Sequence, residues 1–375
     1  MQGSAVYGGR TGNEAEGLKG RDVMGLLDAT LSDIHPLDTS LAVRVQTRLN
    51  SLTKPPGSLG RLETLALQCA LITGRERPRV DKKVLFVCCG DHGVCDEGVS
   101  AYPREVTAQM VYNFLRGGAA ISVLARQLGI TVRVVDIGVD HEFASELPGL
   151  TRRKVARGTA NFVRGPAMSQ AQTLQAIEVG ITLAIDAVRD GAQLLGVGEM
   201  GIGNTTAATA MLSALSDIAP ETLTGLGTGI DETGRQRKVA VVKQALAYHQ
   251  LCSTDPLRIL AAVGGYEIAG IVGICLAGAA SHVPVVIDGF IATAAAWVTC
   301  ALHPAVKERL IFAHLSAEQG HRHVLAALDV QPLLDLHMRL GEGTGAVLGM
   351  SLVESAVRVL DEMATFDEAR VSGRK

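Results

Sequence analysis

Five short, almost uninterrupted apolar runs constrain this chain's fold more than any other feature: residues 84–89, 132–137, 194–197, 283–287 and 310–313. A strand with one wet face alternates polar and apolar residues, so a continuous run needs cover on both faces. Helical patterns separate the runs, at 106–115, 119–128, 172–188, 207–215 and 239–251. Buried strands alternating with helices predict an α/β fold, a Rossmann-like, doubly wound and mainly parallel sheet. The composition agrees, with 3% aromatic residues and 42 glycines suited to close helix–sheet packing. Such sheets bind ligands beyond the carboxyl ends of their strands. Polar and glycine residues follow each run there: Gly90-Asp91-His92-Gly93, Asp136-Ile137-Gly138, Gly198 onward, Asp288-Gly289-Phe290 and His314-Leu315-Ser316.

The third run leads into Gly198-Glu199-Met200-Gly201-Ile202-Gly203-Asn204-Thr205-Thr206, then the helical stripe Ala208, Met211, Leu212, Leu215. Strand, glycine turn and helix together form an anion cradle, because the first helical N–H groups point at the ligand. A ligand-free turn capped by Asn204 or Thr205 is the plain alternative. Two further loops, Gly225-Leu226-Gly227-Thr228-Gly229 and Gly341-Glu342-Gly343-Thr344-Gly345, weigh against it. Glu342, between two glycines at a helix start, suits a base for a weakly basic heterocycle. The helix terminus favours its ionised form, so a strongly raised pKa is not expected. Satisfying helix N–H groups is the competing role. Glu199 is equally ambiguous, as partner acid or base or as hydrogen-bonding group. Lys238 or Arg235 can neutralise a phosphate, although Arg235 reads better as a solvated helix face. No Gly-x-x-x-x-Gly-Lys-Ser/Thr element occurs, and no Gly-x-Gly-x-x-Gly opens the first βα unit, which disfavours triphosphatases and nicotinamide dehydrogenases.

Asp91, His92, Cys88, Cys89 and Cys95 invite a metal reading, but no spacing matches a zinc site, and a hydrogen-bonded strand-end cluster is the better expectation. Seven cysteines without a Cys-x-x-Cys pair suggest reduced thiols and a cytoplasmic location. A formal charge of −3 without a basic block excludes an electrostatic nucleic-acid footprint. The apolar stretch 259–280 reads as a buried helix rather than a membrane span, because Glu267 sits at its centre. Residues 1–22 read as a disordered extension without a secretory signal. Helices at 41–52 and 59–71, joined across Pro55-Pro56 with Ser58 as a cap, and one at 346–360 suggest a small helical domain. Its expected bounds are 23–80 and 346–375, around a large α/β catalytic domain at 81–345.

Thr53-Lys54-Pro55-Pro56-Gly57-Ser58-Leu59-Gly60-Arg61-Leu62-Glu63, Gly90-Asp91-His92-Gly93-Val94, Glu97 to Pro103 and Glu105 to Met110 are distinctive motifs. With Gly198–Thr206, Asp288-Gly289-Phe290 and Arg339–Ala346, the chain strongly resembles the nicotinate-nucleotide–dimethylbenzimidazole phosphoribosyltransferases, from about residue 28 to the last helix. The resemblance implies transfer of phosphoribose from nicotinate mononucleotide to 5,6-dimethylbenzimidazole in cobalamin nucleotide-loop synthesis, by a homodimer without cofactor or metal. It casts Glu342 as general base and Glu199 as a second active-site carboxylate. Met200, Gly201, Ile202, Gly203, Asn204 and Thr205 would hold the nucleotide. Gly227 and Lys238 would contact phosphate or ribose, with Asp288 and Ser316 lining the site. Ser100, Tyr102, Gln109 and Leu340 would shape the base pocket. Leu226 departs from the family pattern, in which arginine often stands between those glycines. An N-ribosyl hydrolase and a non-catalytic nucleotide sensor are the rival readings.

Overall fold

The computed structural model describes residues 25–227 and 229–373. The expected extension at 1–22 lies outside them. Six strands form one sheet in the order β3-β2-β1-β4-β5-β6: β1 Lys83–Gly90, β2 Thr131–Gly138, β3 Leu150–Arg152, β4 Leu194–Met200, β5 Val285–Ile287 and β6 Leu310–Phe312. Every pairing is parallel. The sheet is therefore doubly wound, and its order reverses between β1 and β4, where the crossovers leave to opposite sides and open a crevice.

Alternate strand residues feed two apolar layers. Phe86, Cys88, Ile137, Val197 and Ile287 face helices Gln170–Arg189, Asn204–Ser216, Tyr266–Ala280 and Phe290–Leu302. Leu85, Val87, Cys89, Val286 and Ile311 face helices Ala42–Ser51, Arg61–Thr73, Val106–Arg116 and Thr344–Glu362. Cys88 and Cys89 thus point into opposite layers, and burial raises both thiols far above their ordinary value. Helices Gln170–Arg189 and Tyr266–Ala280 touch through their backbones. A Cβ on Gly273 would stand 1.9 Å from the Ile177 carbonyl oxygen, so no larger residue fits there.

Four local expectations need correction. The stretch 259–280 is two helices, Pro256–Val263 and Tyr266–Ala280, broken at Gly264-Gly265. Glu267 therefore sits in a first helical turn, where its Oε1 meets His92 Nε2 at 2.6 Å. Gly60, not Ser58, caps the helix Arg61–Thr73, and Gly203, at φ +94°, caps Asn204–Ser216, so neither Asn204 nor Thr205 does. The third strand runs on to Met200, which puts Glu199 on a strand rather than in the loop. The edge strand β3 and the helix Phe290–Leu302 escape the sequence pattern: β3 has three residues, Leu-Thr-Arg, and the helix is apolar on nearly every face. Among the described residues, no helix is long and apolar enough to cross a membrane.

Candidate active site

Beyond the carboxyl ends of β4, β5 and β6 lies a cavity of about 520 Å³. The end of β4 and the turn after it contribute Glu199, Met200, Gly201, Ile202, Asn204 and Thr205 to its wall. Asp288 enters after β5 and Ser316 after β6, while the glycine loops bring Gly227, Leu340 and Glu342, and Tyr102 closes one side. Twelve residues expected at the site thus share one wall.

Glu342 has φ +63°, between Gly341 at +80° and Gly343 at +87°. Holding a residue with a Cβ in the left-handed region costs about 1–2 kcal/mol, a cost that concentrates at functional sites. The contorted loop lies directly on β4. A Cβ on Gly341 would stand 2.5 Å from Glu199 Oε1, and one on Gly198 would stand 2.3 Å from the Gly343 nitrogen. Glycine at those positions is what brings the two carboxylates to one wall.

Asp288 fastens the loop. Its Oδ2 accepts the Gly343 N–H at 3.1 Å, and its Oδ1 accepts the Ala346 N–H at 2.9 Å. It is thereby the anchor that orients Glu342 at the start of helix Thr344–Glu362. His314 Nε2 lies 3.8 Å from Asp288 Oδ1.

The two glutamates differ in charge state. Burial pushes Glu342 up to about 6, against the lowering effect of the Ile121 N–H and with help from Asp288. The helix terminus therefore does not hold it at an ordinary value, but the rise stops short of making it a proton donor at pH 7. Its Oε2 is buried without a hydrogen-bond partner. Burial pushes Glu199 further, to about 8, reinforced by the Asp288 and Glu267 charges and opposed by the Asn204 side-chain amide, which donates to its Oε2. At neutral pH Glu342 is mostly a base and Glu199 mostly holds its proton.

The anion-cradle side is built in two layers. Thr205 faces the cavity, and behind it the buried Lys238 donates from Nζ to Thr205 Oγ1 at 2.6 Å. Burial lowers Lys238 to about 8, so it remains mostly cationic at pH 7. Gly203 also lies behind the wall, where a Cβ would meet Cys95 Sγ at 2.6 Å. Lys238 and Gly203 are thus supports rather than lining residues. Arg235 bonds Glu232 on the surface.

Ser100 and Gln109 are not on this wall. They line a neighbouring cavity of about 690 Å³, and Tyr102 stands between the two. Of the four residues assigned to a base pocket, only Tyr102 and Leu340 border the central cavity.

Several wall residues were given no individual role from the sequence. Arg339 donates from Nη1 to the Gly227 carbonyl oxygen at 2.8 Å, bringing a guanidinium to the loop that carries Leu226. It stands in a motif already singled out, beside Glu342. His314, Glu318, Phe290 and Met110 also line the cavity. His314 and Phe290 stand in strand-end motifs read from the sequence and Met110 in a family motif, whereas Glu318, just after the same strand as His314, was not singled out. His321 supports the wall from behind: its Nδ1 accepts the Ser316 N–H at 2.8 Å, and its Nε2 lies 3.0 Å from Thr293 Oγ1. Burial drops His321 to about 3, so the ring stays neutral. Among the described residues, no group of three or more His, Cys, Asp or Glu has the geometry to hold a metal ion.

A family model described as phosphoribosyltransferase matches residues 34–371. The nicotinate-nucleotide–dimethylbenzimidazole phosphoribosyltransferase of Geobacter sulfurreducens is 55% identical over 349 residues, covering 93% of this chain and 99% of its own. The protein of the same name from Roseiflexus sp. is 54% identical over 351 residues, covering 94% and 99%. A crystal structure of the Thermus thermophilus protein of that name superposes with a TM-score of 0.85 at 47% identity, covering 90% of this chain and all of that one.

Proposed function

The chain belongs to the nicotinate-nucleotide–dimethylbenzimidazole phosphoribosyltransferase family, and from that premise we propose that it transfers phosphoribose from nicotinate mononucleotide to 5,6-dimethylbenzimidazole. The products are α-ribazole 5′-phosphate and nicotinate, which places the enzyme in cobalamin nucleotide-loop synthesis. The observation that carries the mechanism is the unpartnered, buried Oε2 of Glu342 on the cavity wall. The benzimidazole's unprotonated nitrogen attacks C1′, and its other nitrogen surrenders its proton to Glu342. The bond from C1′ to the pyridinium nitrogen breaks, and its electron pair neutralises the departing nicotinate. Attack opposite the leaving group inverts C1′ and turns a β-nucleotide into an α-product.

The leaving group is already cationic, so its departure disperses charge instead of building it. Catalysis then rests on positioning and one base. The turn at Gly201–Thr205 suits the 5′-phosphate, because the helix Asn204–Ser216 begins there and the buried Lys238 stands behind Thr205. Glu199, protonated at neutral pH, is a hydrogen-bond donor to the substrate rather than a second base. Met200 and Ile202 pack the nucleotide, and Tyr102 and Leu340 flank the acceptor. The working unit is a cytoplasmic homodimer.

Chromatography of a reaction containing nicotinate mononucleotide and dimethylbenzimidazole tests this reading. Nicotinate and the α-riboside phosphate should appear in equal amounts, and only when the base is present. Ribose phosphate released without the base would make the protein a hydrolase, and no product at all would leave it a binder.

A further inference from the structure

Glu318 lines the central cavity yet is not used by the mechanism above. It is 7% exposed, and its Oε2 is buried with no hydrogen-bond partner. A buried acceptor left unpaired is costly, and native structures tolerate few of them. Its neighbours leave room for the acid. A Cβ on Gly225 would come within 2.0 Å of Glu318 Oε2, so the first glycine of that loop makes space for the carboxylate. Its own N–H donates to Ser316 Oγ at 3.3 Å, which fixes the segment after β6.

The unpaired carboxylate oxygen is a hydrogen-bond acceptor, so its ligand must donate. The 5′-phosphate and the nicotinate carboxylate are anions and are repelled. The benzimidazole N–H is committed to Glu342. The remaining donors on the two substrates are the ribose 2′- and 3′-hydroxyls. We propose that Glu318 is the specificity-determining residue that reads the ribose diol of the donor nucleotide, an inference that rests on the transferase reading above. A carboxylate here also rejects donors phosphorylated on that diol.

The experiment compares nicotinate mononucleotide with its 2′-deoxy and 3′-deoxy analogues in wild type, Glu318→Gln and Glu318→Ala. Wild type should prefer the ribonucleotide in kcat/KM by about 10–150-fold over at least one analogue, the worth of a hydrogen bond to a charged group. Glu318→Gln should narrow that preference and Glu318→Ala should bring it to within about threefold. The analogues differ in intrinsic reactivity, but that difference is common to all three proteins and cancels when their preferences are compared. A preference unchanged in both variants overturns the proposal, because a structural role or a contact with the pyridinium ring lowers all three substrates together. Calorimetric binding of the same ligands gives the preference without turnover. Failure of the wild type to react would therefore sink the transferase reading, while the binding ratios still decide the role of Glu318.

Discussion

Replacing Glu342 with Gln keeps the shape of the side chain and removes its ability to take a proton. Three features of the structure set the size of the effect. The loop geometry is imposed by the backbone, through three successive left-handed residues and the Asp288 anchor, so the amide should occupy the same place. The Glu342 carboxyl is held near 6, so at pH 7 about nine-tenths of it is the competent base. A positioned general base is worth about 10²–10⁴ in rate. We therefore expect Glu342→Gln to lower kcat by that factor while the KM for nicotinate mononucleotide changes less than about threefold. In wild type, kcat should rise tenfold per pH unit on the acid side and level off above the pKa that Glu342 takes in the substrate complex, because protonation removes the base. In the variant that acid limb should vanish. The assay is steady-state release of nicotinate at saturating dimethylbenzimidazole from pH 5 to 9. Near wild-type kcat in Glu342→Gln, or an acid limb that survives the substitution, would refute the assignment. Collapse of Glu199→Gln beside an active Glu342 variant would transfer the base to Glu199.

Lys238→Met should raise the nucleotide KM by about 10–100-fold with little change in melting temperature, because a charge-assisted bond behind Thr205 is lost while an apolar chain fills its buried place; an unchanged KM in the folded variant would put the phosphate elsewhere. Glu199 has a folded pKa near 8, above its ordinary 4.5, so its contribution to stability is full below pH 4.5 and lost as pH rises through 8. Glu199→Gln should therefore melt higher than wild type at pH 9, by an amount that shrinks towards pH 6, and calorimetry showing the reverse order at pH 9 would count against a buried, raised carboxyl. Because the proposed leaving group is cationic, turnover should survive exhaustive treatment with EDTA; loss of activity restored by a divalent ion would contradict the scheme.

Much of this architecture was legible from residues 84 to 313 alone. Apolar runs that cannot face water dictated a parallel sheet with both faces covered, and glycine and acid residues at the strand ends marked the binding rim. The motif around Glu342 marks that residue as special from sequence alone. What the sequence could not supply was anything set by contact between distant segments. β3 is held by its pairing with β2, since Leu-Thr-Arg carries no strand signal of its own. The break at Gly264-Gly265 puts Glu267 beside His92, a partnership across 175 positions of chain. Lys238 and Thr205 both looked like ligand contacts, and only packing decided that one stands behind the other. The charge states of Glu342 and Glu199 are tertiary properties too. Local helix electrostatics favours ionisation of Glu342, but the desolvation that raises both carboxyls comes from strands and loops converging from β4, β5 and β6. Residue type fixed which groups can do the chemistry; burial, imposed by the whole fold, decided which of them holds a proton at neutral pH.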